Sequence, residues 1–178
     1  MNVVTTLCTQ RLKLAPFRLE DARELFEIRG DAEAMAHWDW PADENAEQTC
    51  AVAKSLLADV DAGKAVFWTV RLATDSRFAG LCDLSELDET GAADLGFMFA
   101  RRYWGHGYAR QEAAAILQAA PGLGVRVVRA RIHEDNARSA RLLASLGFRR
   151  CEVLSDFTIR PGGVTRTCVM FERMVYGS

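Results

Sequence analysis

The sequence predicts a mixed α/β domain with one sheet, antiparallel in its N-terminal strands and parallel at one later pair. Three observations carry this. Apolar residues alternate along short runs bounded by turn residues, and they recur at helical spacing in other segments. The segments follow one another as strand, two helical stretches, three strands, helix, strand, helix and two strands, and a strand joined to the next through a crossover helix ends parallel to it. At 178 residues and 49% hydrophobic content, the chain is long and apolar enough for a core of its own. No Gly/Ser- or Pro-rich linker and no internal repeat divides it, so residues 1–178 read as a single domain.

Arg11 to Ala15 reads as the first strand, and Glu20 to Arg29 as a helix with Ala22, Leu25, Phe26 and Ile28 on one side. Asp31 to Ala36 is expected to continue as a short helix. Glu47 to Asp61 is a second helical stretch, with Ala51, Lys54, Leu57 and Val60 three apart and Gly63 at its C-terminal end. Val66 to Ala73 and Ala79 to Leu84 are rich in β-formers around an Asp75-Ser76 turn, and Asp94 to Ala100 alternates after Glu89-Thr90-Gly91. Tyr108 to Ala120 is an Ala-rich helix, Val125 to His133 a strand, and Ala137 to Ser145 a helix stopped by Gly147. Two closing strands, near Cys151 to Ile159 and Thr167 to Val175, flank Pro161-Gly162-Gly163, residue types that suit a tight hairpin.

The 22 basic and 24 acidic side chains nearly cancel, leaving a net charge of −2. With no ladder of aromatic and basic residues, this excludes a nucleic-acid module and a membrane-surface role. No segment approaches the run of about 18 apolar residues that a membrane span needs, and the first residues lack a basic start, so the chain reads as soluble and cytoplasmic. Five cysteines lie far apart in an odd count with no Cys-x-x-Cys, which argues against disulfides and a zinc site. They are expected to be reduced and mostly buried. Nothing in the His, Cys and Asp spacing suggests a metal. Exposed edge strands leave monomer and homodimer both open.

The most informative segment is Trp104-Gly105-His106-Gly107-Tyr108-Ala109, which joins a strand directly to a helix through two glycines. Glycines let backbone approach a ligand, and the unpaired N–H groups at a helix N-terminus suit a pyrophosphate; a tight turn alone would also explain them. There is no Gly-Lys-Ser/Thr as a P-loop requires, and Arg110 stands where a dinucleotide fingerprint has its third glycine.

This segment resembles the acetyl-CoA loop of the Gcn5-related N-acetyltransferase (GNAT) superfamily, Gln/Arg-x-x-Gly-x-Gly/Ala, with Trp104 at the first position. The Trp-Gly-x-Gly-Tyr-Ala form is similar to the RimJ/RimL branch. A register beginning at Arg102 also fits the pattern, but it starts the helix too soon after Ala100. Three further stretches resemble that branch: Thr9 to Leu14 followed by Glu20-Asp21-Ala22; Asp94-Leu95-Gly96-Phe97; and Asn136-x-x-Ser139 followed by Leu142-Leu143 and Gly147-Phe148.

The resemblance implies a GNAT fold with a splayed parallel strand pair and acetyl-CoA as cosubstrate. It implies cofactor contacts from the loop Gly105, His106, Gly107, Tyr108, Ala109 and Arg110, and from the main chain of Met98, Phe99 and Ala100. A main-chain N–H there can also stabilise the oxyanion, a donor typically worth about 3–4 kcal/mol. Asn136 suits a helix N-cap; the resemblance adds contact with the pantetheine amides. Many members carry a Tyr seven residues after this Asn as the acid; Leu143 stands there, which turns the role to Ser139 near the thioester sulfur.

For the proton acceptor, Asp94 matches the branch's acidic position, with Asp83, Glu86 and Asp156 as further candidates. Arg101, Arg102, Arg110, Arg138 and Arg141 gather near the two ligand-facing helix starts, where one or two are expected to touch phosphate. His37-Trp38-Asp39-Trp40-Pro41 suits either the core or an acceptor wall. An α-amine, with a pKa near 8, keeps a larger neutral fraction than a lysine-type amine near 10.4, so the acceptor expected is a protein N-terminus. A polyamine, an amino acid or an antibiotic amine is the alternative, and a CoA-responsive regulatory module without turnover the second.

Overall fold

The computed structural model describes residues 5–157 and 165–176, apart from the side chains of Asp156 and Phe157. The expected Pro161–Gly163 hairpin and the Asp156 carboxyl therefore lie outside the described residues.

A mixed sheet of eight strands runs in the order β1-β2-β3-β4-β5-β6-β8-β7. The strands are β1 (Leu7–Cys8), β2 (Leu12–Pro16), β3 (Val66–Leu72), β4 (Phe78–Ser85), β5 (Ala92–Phe99), β6 (Val127–His133), β7 (Arg149–Phe157) and β8 (Arg166–Met174). Every neighbouring pair is antiparallel except β5 and β6, which run parallel across helix α3 (Tyr108–Ala119). β7 follows β6 through helix α4 (Ala137–Ser145), but β8 pairs between the two.

The sheet buries both faces. On one, Leu12, Leu14, Trp68, Val70, Leu84, Val128 and Phe171 pack with Ala113 and Ile116 of α3 and Leu143 of α4. On the other, Phe67, Leu81 and Met98 pack with Leu25 and Ile28 of helix α1 (Ala22–Arg29) and Ala53 of helix α2 (Ala46–Asp61). β3 lies between two paired strands and is buried along nearly its whole length, as its Val-Phe-Trp-Thr-Val run requires.

Buried polar groups fix how the helices meet the sheet. Asp21 accepts from the Arg18 N–H (3.0 Å), the Thr69 hydroxyl (2.6 Å) and Arg71 (2.9 Å), seating the start of α1 on β3. Arg29 makes a bidentate pair with Asp43 (2.7 and 2.9 Å), and Thr49 donates to the same carboxylate (2.6 Å), which ties the connection between α1 and α2 to both helices. α2 ends as its sequence predicts: Gly63 is left-handed at φ +70°, its N–H reaches Val60 O (3.0 Å), and Lys64 N–H reaches Asp59 O (2.9 Å).

Two expectations fail. Asp31–Ala36 is a series of turns and not a helix: the Asp31 carboxylate accepts from the N–H groups of Glu33 (3.0 Å) and Ala34 (3.3 Å) as a helix cap does, but after one four-residue bond, Met35 N–H to Asp31 O (3.0 Å), the backbone goes over to three-residue bonds, Ala36 N–H to Glu33 O (3.3 Å) and Trp38 N–H to Met35 O (2.9 Å). The cysteines are free, but only Cys82 and Cys168 are buried; Cys8 and Cys151 are exposed because β1 and β7 are the outer strands of the sheet. Among the described residues, no helix is long and apolar enough to cross a membrane.

Candidate active site

The parallel pair holds together only at one end. β5 and β6 are in register at Ala92/Val127, Ala93/Val128 and Asp94/Arg129, and beyond that point β5 stays with β4 while β6 stays with β8. The strands splay from Leu95 onward. A cleft of about 710 Å³ opens there, walled by β5, the glycine turn, the first turn of α4 and the loop around His37 and Trp38.

The glycine turn is built for close approach. Gly105 (φ +80°) and Gly107 (φ +75°) are both left-handed, and no atom lies within 4 Å of where a Gly105 side chain would begin. Gly107 is the N-cap of α3 and, having no side chain, leaves the first N–H groups of the helix without a side-chain cap. Tyr108, Ala109 and Arg110 line the cleft at this positive helix end. Trp104, in the first loop position, donates its indole N–H to Phe99 O (2.8 Å) and so anchors the loop to the end of β5. His106 lies outside the cleft lining; its ring stacks on Tyr108 and its Nδ1 sits 2.8 Å from Trp104 O, so it shapes the turn from the solvent side.

The five arginines divide. Arg110, Arg138 and Arg141 line the cleft, with Arg138 lying over the Trp104 ring at 4.3 Å. Arg101 is paired with Asp31 (2.5 Å) and Glu33, and Arg102 with Glu27, so neither is available to an anion in the cleft. Three guanidinium groups beside an uncapped helix start make a site for phosphate groups.

The main chain of β5 alternates, and this corrects the expected set of contacts. Ala100 donates its N–H to Ala79 O (2.9 Å), and its side chain is buried outside the cleft lining. In an antiparallel ladder the next residue to bond the same partner is two away, so Met98, opposite Leu81, also gives its main chain to β4. Phe97 and Phe99 turn theirs toward the splay, where an extended ligand can pair as an added strand, although the Phe99 carbonyl is already engaged by Trp104, so that Phe99 offers chiefly its N–H. Of the three expected positions only Phe99 qualifies, and Phe97 joins it. The Met98 side chain lines the cleft.

Asn136 and Ser139 both line the cleft. The Asn136 side-chain oxygen accepts from the Ser139 N–H (3.1 Å), so the amide caps α4 and leaves its NH₂ to a ligand. Leu143 is fully buried in the core. Tyr103, which sequence reasoning passed over, also lines the cleft, and its hydroxyl is buried without a hydrogen-bond partner among the described residues.

The candidate proton acceptors differ in surroundings. Asp94 sits at the closed end of the splay, paired with Arg129 (2.9 Å), and does not line the cleft. Glu86 is exposed. Asp83 on β4 stands opposite Gly96 of β5, where any side chain would collide with its carboxylate. Part of Asp83 remains accessible, yet its carboxyl is enclosed: desolvation pushes its pKa up to about 7, a Ser85 hydrogen bond opposes that, and the charge of Asp94 adds to it.

Comparison with known proteins agrees with this geometry. The acetyltransferase (GNAT) domain model matches residues 11–149. The uncharacterized N-acetyltransferase p20 of Bacillus licheniformis is 25% identical over 154 residues, covering 85% of this chain and 86% of that protein. Among solved structures, the RimL ribosomal L7/L12 alpha-N-protein acetyltransferase in complex with coenzyme A superposes with a TM-score of 0.84 at 16% identity, covering 96% of this chain and 98% of that one. The spermidine N-acetyltransferase from Vibrio cholerae, in complex with CoA and spermine, superposes at 0.81 with 16% identity, covering 94% and 97%. At these identities the solved structures establish the shared fold, and the domain model establishes the family. The chain belongs to the acetyltransferase (GNAT) family and is an N-acetyltransferase.

Proposed function

We propose that the chain, acting as one domain, transfers the acetyl group of acetyl-CoA directly to a primary amine, with a peptide N-terminal α-amine as the acceptor class. The observation that carries this is the splay of β5 from β6 directly in front of the left-handed glycine turn. The pyrophosphate takes the start of α3 with Arg110, Arg138 and Arg141, the pantetheine pairs with the main chain of Phe97 and Phe99, and the Asn136 amide reaches one of its amides. The amine nitrogen forms its bond to the thioester carbonyl carbon, the C–S bond breaks, and the amine proton leaves for a base. Ser139 stands as the donor to the departing thiolate.

Of the candidate bases we assign the proton to Asp83, through water, in place of Asp94; like Asp94 it lies outside the cleft lining. Its pKa of about 7 lets it hold and release a proton near neutral pH, whereas the Asp94 carboxylate is paired with Arg129. An α-amine with pKa near 8 suits such a base better than a side-chain amine near 10.4.

Small-molecule amines are the second reading, favoured by Glu33 and Asp135 in the cleft lining, carboxylates that attract a cationic ligand. Thiol release from acetyl-CoA, read with a disulfide reagent across peptide N-termini, polyamines and aminoglycosides, separates the two. Release that depends on peptide α-amines supports the first reading, and release with polyamines or aminoglycosides alone moves the acceptor to the second. No release from any amine, with CoA bound, overturns the proposed acceptors.

A further inference from the structure

At the edge of the cleft, side chains from two distant parts of the chain converge: His37 from the loop before α2, and His133 and Asp135 from the end of β6 and the turn after it. His133 closes β6, is 4% exposed, and its Nε2 lies 3.1 Å from an oxygen of Asp39. With the Nε2 proton given to that carboxylate, Nδ1 carries the free lone pair. Nδ1 is buried and has no hydrogen-bond partner among the described residues. A buried acceptor without a donor is costly, about 1–3 kcal/mol, and is a sign of a ligand.

The atoms that answer it are in place. Potential ligand atoms of His37, His133 and Asp135 all lie within 4.8 Å of one another, and the two imidazole rings meet edge to face at 6.1 Å. His37 Nδ1 and Asp135 Oδ1 are 3.4 Å apart. Two ligands each about 2.1 Å from one tetrahedral ion are separated by about that distance.

We propose that His37, His133 and Asp135 bind a divalent transition-metal ion of the zinc class, with Asp39 as the outer carboxylate that orients His133. Two imidazole nitrogens and one carboxylate oxygen suit zinc, and a His with its second nitrogen held by a carboxylate is the usual supporting arrangement. Three protein ligands leave a fourth position, and because His37 and Asp135 line the cleft, that position opens toward it. Such an ion clips the loop before α2 to the residue preceding the N-cap of α4, two of the segments that wall the cleft. It plays no part in the acetyl transfer proposed above, and the inference stands whichever amine is the acceptor. Asp39, His133 and Cys168 form a second grouping. In that grouping the ion would compete for the His133 nitrogen that Asp39 already holds.

The test uses the full chain, stripped with a chelator and titrated with zinc chloride, with bound metal counted after gel filtration. One zinc per chain is expected. His37→Ala and Asp135→Asn, both at partly exposed positions, should abolish retention, and Asp39→Asn should weaken affinity by about 10–100-fold. Cobalt in place of zinc should give the visible bands of a tetrahedral ion without a thiolate charge-transfer band. No retained zinc, or equal retention in His37→Ala, overturns the proposal. A thiolate band that disappears in Cys168→Ser assigns the ion to the other grouping and overturns it equally.

Discussion

Glu112 on α3 is 0% exposed, faces the sheet, and neither carboxyl oxygen has a hydrogen-bond partner among the described residues. Its pKa is raised well above the usual carboxylate range: burial is the main cause, the neighbouring Cys82 thiol opposes it, and the charge of Asp83 adds to it. The Cys82 thiol offers little relief, since it donates to Trp68 O at 3.8 Å. Glu112 therefore keeps its proton to higher pH in the folded chain than an unfolded Glu, which ionises above about pH 4.3. The folded pKa is raised, so the contribution to stability is whole below pH 4.3 and is lost as pH rises, by about 1.4 kcal/mol per unit. From pH 5 to pH 7 the loss is at most about 2.5 kcal/mol, which would be roughly 5–10 °C in Tm for a chain of this size, and it stops growing where the folded carboxyl itself ionises. Glu112→Met, similar in volume and without the titrating group, removes that loss. Urea unfolding of both proteins at pH 5, 6 and 7 measures it: the variant should gain on the parent as pH rises, by at most about 2.5 kcal/mol between the two ends. Parallel curves, or a variant that falls behind as pH rises, would mean that Glu112 is ionised and paired in the fold, and the reasoning would be refuted.

Three other outcomes are expected. Gly107→Ala places a side chain at φ +75° and should cost about 1–2 kcal/mol, with weaker CoA binding by calorimetry and little change in the rest of the fold. If Asp83 accepts the proton, kcat/KM rises with pH through about 7, because the base must lose its proton first; Asp83→Asn should flatten that limb and lower the plateau, as a pH–rate series would record. Asp43→Ala leaves the Arg29 guanidinium, whose side chain is 5% exposed, buried without its partner; a loss of about 3–5 kcal/mol should appear in thermal melts.

Much of this molecule is legible in its sequence because local physics is written in local residue order. Gly63 stops α2 because a left-handed residue is required at that point, and Asn136 begins α4 because its side chain reaches the N–H three residues on. Trp104 to Ala109 marks the glycine turn for the same reason: two left-handed residues before a helix leave few alternatives to glycine. Where the expectation was local and still failed, as at Asp31, a capped start ran into three-residue turns that apolar spacing does not register.

What tertiary structure alone decided is every property that depends on which strand lies beside which. The register of β4 on β5 spends the Met98 and Ala100 main chain and leaves that of Phe97 and Phe99, a difference of one residue that no composition reveals. Packing ties Arg101 and Arg102 to α1 and the loop after it, separating them from the three arginines of the cleft. Enclosure sets Asp83 near 7 while ion pairing engages Asp94, although the sequence pattern favoured Asp94. His37, His133 and Asp135 meet only because the loop before α2 folds across the end of β6. Secondary structure answers to neighbours in the chain, whereas desolvation, charge pairing and ligand geometry answer to neighbours in space.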